Sequence, residues 1–235
     1  GSVQKRKVTG SVVNVTPKDF NKGVTNDAVD LLRGRVAGMN ITQSSGDISA
    51  KQTIRIRGTS SLTGSSEPFV VIDGVPGMSL NSVAPQDIAS ISVLKDASAA
   101  AIYGSRSGSG VILITTKSGA GGRARVEYNT YIARDVVSNK PDLLTAAEWR
   151  DYTKSQGMNT TGLDLGANTD WFGNLLRTGT SHNHDLSLSG GSSTSNYRAS
   201  ISYLNRQGVI LGNKMDRLNA RLTFHQKAVN EKLNI

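Results

Sequence analysis

Asn196-Tyr-Arg-Ala-Ser-Ile-Ser-Tyr-Leu-Asn205 decides the fold. Successive side chains of a strand point to opposite faces. Tyr197, Ala199, Ile201 and Tyr203 therefore fall on one side, and Arg198, Ser200 and Ser202 on the other. Three more stretches repeat this pattern. In Ala124 to Ile132, the mainly apolar set Ala124, Val126, Tyr128, Thr130 and Ile132 opposes Arg125, Glu127 and Asn129. In His184 to Ser189, Leu186 and Leu188 oppose Asp185, Ser187 and Ser189. In Arg217 to Gln226, Leu218, Ala220, Leu222 and Phe224 oppose Asn219, Arg221, Thr223 and His225. Each stretch is about ten residues or a little shorter, the length that crosses a bilayer as a tilted strand. Two architectures give this alternation: a transmembrane barrel with its apolar side in lipid, and an antiparallel sheet with one face on a soluble core.

Connection lengths favour the barrel. The first connection is about 50 residues, the second is the tight Gly190 to Ser195, the third is about ten residues around Gly208 to Gly212, and the fourth is a short turn near Ala228 to Asn230. Outer-membrane barrels alternate long external loops with short periplasmic turns in this way. The long connection predicts its own helix, because Thr145-Ala-Ala-Glu148 is a capping box, with Trp149 and Tyr152 following and a stop at Gly157. A second short helix is predicted from Asp170 to Arg177. Trp149, Tyr152, Trp171 and Phe172 in this loop are expected to build small local cores; contact with a substrate or a lid is the other reading. Four strands and a stub at Lys232 to Ile235 leave two open edges, so the sequence reads as the N-terminal part of something longer.

The stretch before Gly119 has a different grammar. Thr25 or Asn26 can cap a helix from Asp27 to Arg33, with acidic residues in its first turn. Asn40 to Gln43 can turn extended, and Thr53 to Arg57 alternates apolar and basic before stopping at Gly58. Phe69 to Ile72 reads as a buried strand ending at the turn Asp73-Gly74. Pro85 to Ile88 predicts one helical turn, and Ile91 to Leu94 a strand. Asp96 is predicted to cap an alanine-rich helix from Ala97 to Tyr103, closed by Gly104. Val111 to Thr116 forms a last strand. The expectation is an α+β unit, a small mixed sheet with short helices, followed by antiparallel strands of an incomplete transmembrane β-barrel. The expected domains are residues 1–22 as an N-terminal linker leading into the unit, 23–118 as the unit itself, and 119–235 as the first strands and first long loop of the barrel.

Composition removes other classes. The chain has 235 residues and no cysteine, which excludes disulfide scaffolds, thiolate metal sites and cysteine nucleophiles. No apolar run is long enough for a membrane-spanning helix, and residues 1–10 carry three basic residues without the apolar stretch of a signal peptide. The net charge of +9 is spread evenly, +5 over residues 1–118 and +4 over 119–235. A nucleic-acid binder concentrates its charge and interleaves aromatic residues, so nucleic acid is not an expected partner. No catalytic residues are found: Gly104-Ser-Arg-Ser-Gly108 has Arg106 where a nucleophile elbow needs serine. His182 and His184 lack a third metal ligand, and Asp73-Gly74 lacks the alternating ligands of a calcium loop. No enzyme activity, cofactor or metal is expected.

Several long segments, in order, resemble the plug signatures of the SusC/RagA family, TonB-dependent outer-membrane receptors of Bacteroidetes-type bacteria. They are Ile54-Arg-Ile-Arg-Gly-Thr59, Phe69-Val-Val-Ile-Asp-Gly-Val-Pro76, Ile88 to Arg106 and Gly110 to Gly119. His184 to Gly191 and Asn196 to Tyr203 resemble the family's early barrel strands. The resemblance implies a plug lodged in a barrel of about 22 strands. It also implies uptake of oligosaccharides or peptides energised by TonB, which would act through a segment upstream of Gly1, and a SusD-like surface lipoprotein over the barrel. Outer-membrane lipid would surround the barrel, and the plug would open to the periplasm. Arg55, Arg57 and Arg106 are then candidates for plug–barrel contact; a solvated strand face is the other reading for Arg55 and Arg57.

Overall fold

The computed structural model describes residues 12–20, 24–58, 66–96, 101–119, 121–228 and 233–234. Its first unit centres on a mixed sheet with the order β1 (Val12–Val15), β6 (Ile88–Leu94), β7 (Val111–Thr116), β4 (Phe69–Ile72) and β5 (Val75–Pro76). β7 is antiparallel to β6 and parallel to β4. Both faces of β7 are covered, so it reads as a continuous apolar run: Val111, Ile112 and Ile114 are all buried. One face packs Val15, Ile72, Ile91, Val93 and Ile112 against Leu31, Leu32 and Val36. Ile54 and Ile56 join that core from a separate hairpin, β2 (Met39–Thr42) and β3 (Thr53–Ile56). The other face holds a smaller cluster of Val71, Leu94 and Val111.

Four expectations change here. The helix predicted from Asp27 to Arg33 is a run of turns, in which the N–H groups of Asp30, Leu32, Arg33 and Arg35 each reach three residues back. Seven residues are few for a helix to nucleate, and Gly34 turns left-handed at φ 73. Second, β1 lies inside residues 1–22, expected as a linker and entry to the unit, and pairs with β6 as a strand of that unit's sheet. Third, β6 starts earlier than Ile91. A register shift between Ile88 and Ser90 lets Ile88 and Ile91, which have opposite parity, face the same core. Fourth, of the predicted alanine helix, residues 97–100 lie outside the described residues, and Ala101–Tyr103 is a single 3-10 turn.

The second unit is an antiparallel meander with the order β12-β11-β10-β9-β8: β8 (Gly122–Asp135), β9 (Gly179–Gly191), β10 (Ser195–Gln207), β11 (Lys214–Ala228) and β12 (Leu233–Asn234). The long strands run 13 to 15 residues. They exceed the predicted ten because pairing continues past the apolar band into polar ends such as Arg134, His182 and Lys214. The parity is as the alternation reads. Ile132 and Leu222 are 81% and 77% exposed on the outer face, whereas Ser181, Asn183, Asp185, Arg198 and Ser202 are buried on the inner one. Between β8 and β9 stand α1 (Ala146–Ser155), with its Thr145–Glu148 capping box formed, and the short α2 (Trp171–Leu175). Trp149, Tyr152, Trp171 and Phe172 are exposed, so the expected local cores are not built. No described helix is long and apolar enough to cross a membrane, which says nothing about crossing by strands.

Candidate functional site

The two units meet along a polar seam. Three plug carboxylates accept from three arginines of the strand wall, which are held at inward positions by strand parity. Arg217 reaches Asp27 at 2.6 Å, Arg221 reaches Asp73 at 2.9 Å and Arg198 reaches Asp87 at 3.1 Å. Each acid is set in place by its own local structure. The Asp30 carboxylate accepts from the N–H groups of Asn26 and Asp27, both at 3.3 Å, and fixes the chain where Asp27 leaves it. Asp73 sits in the β4–β5 turn at φ 49, followed by Gly74 at φ 84. Two left-handed residues are what a two-residue type I′ hairpin requires. There Asp73 also accepts from the Thr116 backbone N–H at 2.8 Å and the Thr116 hydroxyl at 2.7 Å. Asp87 closes the 3-10 turn Pro85–Asp87, and its carbonyl accepts from the Lys117 N–H at 2.7 Å. Two of the three acids thus converge on the end of β7, just before the chain crosses to the wall.

Neutral contacts reinforce the seam. Ser200 donates to Asp87 at 2.6 Å, and Tyr131 donates from its hydroxyl to Asn26 at 3.0 Å. Asn213 donates to the Gly46 carbonyl at 3.2 Å. The crossing itself is tight: a Cβ on Gly119 would lie 2.1 Å from the Tyr197 carbonyl oxygen. Burial grades the ion pairs. The side chains of Arg198 and Asp87 are each 9% exposed, whereas those of Arg221 and Asp73 are 23% and 33% exposed. Removing one partner of a buried pair strands the other and costs about 3–5 kcal/mol, while a screened pair contributes far less.

Of the residues singled out in the sequence, the turn Asp73-Gly74 lies in the seam, whereas the contact candidates Arg55, Arg57 and Arg106 lie elsewhere. Arg57 pairs with Asp96 inside the plug, tying the β2–β3 hairpin to the end of β6. Arg55 and Arg106 are exposed, and neither makes an ion pair with the wall strands among the described residues. The carboxylate of Asp96 takes Arg57, and the residues it was expected to cap lie outside the described ones. His182 and His184 stand on the outer face beside Tyr203 and Tyr128; the Tyr128 hydroxyl and His184 Nδ1 are 2.7 Å apart. A separate plug cavity of about 340 Å³ is lined by Asp27, Lys51, Glu67, Phe69 and Met78 among others.

Residues 4–111 match the family model described as the TonB-dependent receptor plug domain. The chain is 40% identical to TonB-dependent receptor SusC of Bacteroides thetaiotaomicron over 95% of its own length and 23% of that protein. It is 40% identical to TonB-dependent receptor P3 of Formosa agariphila over 92% of its length and 21% of that protein. A solved structure of the RagAB peptide importer in a closed-closed state superposes with a TM-score of 0.83 at 30% identity, covering 94% of this chain and 29% of that one. Nearly the whole length of the chain is thus similar to SusC/RagA-type TonB-dependent receptors. The chain spans less than a quarter of the curated relatives' length. In receptor terms, the first unit is the plug and the five strands are wall. The seam of Asp27, Asp73 and Asp87 is where this receptor chain's plug is seated.

Proposed function

We propose that this chain is the plug and first wall strands of an outer-membrane nutrient importer. In this reading the wall crosses the membrane, the plug blocks the barrel, and TonB energises release of that block. Cargo would be an oligosaccharide or a peptide, a SusD-like lipoprotein would cover the outer mouth, and no bond of the cargo would be made or broken. The observation that carries the proposal is the seating of the plug. It is held to the wall by ion pairs and hydrogen bonds at Asp27, Asp73 and Asp87, which water can replace one by one, and among the described residues neither apolar cluster of the plug includes a wall side chain. A soluble binding sheet is disfavoured by the outer wall face, where Val126, Ile132, Leu218, Leu222 and Phe224 are all exposed.

These 235 residues hold no cysteine, so a pair of thiols introduced here has no native competitor within them. The Ser200 hydroxyl and the Asp87 carboxylate meet at 2.6 Å, so Asp87→Cys with Ser200→Cys brings two thiols to facing positions across the seam, where disulfide formation is scored directly by non-reducing electrophoresis. In the complete receptor, oxidation should stop uptake of labelled oligosaccharides and peptides, and reduction should restore it. Undiminished uptake through a receptor shown to be crosslinked would overturn the gating role of this seam.

A further inference from the structure

The Asp87 seam contains more polar atoms than its direct contacts satisfy. A cavity of about 20 Å³ lies between plug and wall, lined by Gln86 and Asp87 of the plug and by Asp185, Arg198, Ser200 and Ser202 of the wall among others. Three of these residues turn a buried atom without a protein hydrogen-bond partner: Gln86 Oε1, Asp185 Oδ1 and Arg198 Nε. Asp185 and Arg198 are each 8% exposed. Arg198 donates from Nη2 to Asp87, and Asp185 Oδ2 accepts from Asn183.

Two of the three atoms accept and one donates. A water molecule offers the complement, two O–H donors and a lone pair for the arginine N–H. One water needs roughly 10–15 Å³ of such space and two to four polar partners. A cation does not fit this set, because the Arg198 guanidinium already brings positive charge and an N–H to the cavity. We propose that a single ordered water sits here and bridges Gln86 of the plug to Asp185 and Arg198 of the wall. Asp185 makes no salt bridge among the described residues, and the bridge turns the Arg198 charge toward it as well as toward Asp87. The plug is then seated at this point through a ligand that solvent can exchange, so parting plug from wall leaves no dry, unpaired surface.

This inference rests on the reading of the chain as plug and wall of one receptor. Its readout is not uptake, so an error about cargo leaves the test intact. The complete receptor should be imaged at a resolution that shows ordered water. A peak is expected within about 2.7–3.2 Å of Gln86, Asp185 and Arg198. A map in which Gln86 pairs directly with either wall residue, without a peak, overturns the proposal. So does anomalous signal at this position after a thallium soak, which would mark a monovalent cation. A second measurement uses Gln86→Leu, Asp185→Leu and the double variant. If both residues act through one water, the double variant should lower the plug's melting temperature no more than the worse single variant. Additive shifts would overturn the bridge, and the map of the unaltered receptor stands even where a variant fails to insert.

Discussion

Gly74 and Asp73 share a turn but have different duties. Gly74 supplies conformation: a Cβ there would meet nothing within 4 Å, yet its φ of 84 disfavours any branched side chain. Gly74→Val should therefore destabilise the plug by about 1–2 kcal/mol through backbone strain alone. Gly74→Asn should be much milder, since asparagine tolerates this region. Thermal denaturation of the complete receptor checks both, and equal losses would deny the strain argument. Asp73 supplies charge, and its partners explain what sequence reading reached and what it missed. Parity alone placed Arg198 and Arg221 on the inner face, because period two is a local property. Their partners are not local: Asp87 and Asp73 lie more than a hundred residues away in the chain. The plug acids already had adequate local explanations, as turn residues and as a first-turn acid. Attention passed to Arg55, Arg57 and Arg106, whereas in the described seam the plug brings the carboxylates and the wall the guanidinium groups. The usable signal was the row of inward arginines on β10 and β11, which implies plug acids at turn ends.

Strand elements were legible because their cause is periodic. β10 repeats the alternation over its whole length, and its pairing keeps Ile201 opposite Ala220 and Arg198 opposite Thr223. Cysteines at Ala199 and Ile201 should resist water-soluble thiol reagents in membranes. A cysteine at Ser195, beside the β9–β10 turn, should react. Equal labelling at all three positions would count against burial of this face in lipid. Elements fixed by single contacts were harder to see. The Asp27 turns depend on one carboxylate reaching back to two amides, and β6 hides its first core residue behind a bulge. The long loop offers a contrast, since its capping box is a sequence signal with its geometry built in. From within α1, Arg150 clasps Asp164 in the loop that follows at 2.7 Å, and this side-chain bond, followed by the Gly166 N–H, holds the Asp164 carboxyl below the usual range. A lowered folded value means the clasp contributes fully above the unfolded value, about 3.9, and is lost as pH falls through the folded one. Protection of the Gly166 amide, its exchange rate taken relative to that of an unstructured peptide at the same pH, should accordingly fall below about pH 4 and change little from pH 5 to 8. A flat profile through the acid range would show that the clasp does not order the loop.

At the scale of the whole molecule, the path of the chain through the plug sheet has a mechanical meaning. β1 lies antiparallel on β6, with Val12 opposite Leu94 and Val15 opposite Ile91. Asp87, held by Arg198, directly precedes the first residue of β6. Tension entering at the N-terminal end of β1 and resisted at Asp87 therefore grips the two strands by opposite ends. Every rung between them is loaded at once, in shear, so β1 transmits force to the seam instead of peeling away. A handle on Lys18, at the other end of β1, would load the same rungs one after another, like a zipper. Optical-trap measurements on the complete receptor, its wall tethered, should find a higher rupture force for an attachment before Val12 than for one at Lys18. Equal forces from the two ends would mean that β1 carries no load to Asp87. With unequal forces, this edge strand would be a drawbar, rigid against one direction of pull and yielding to the other.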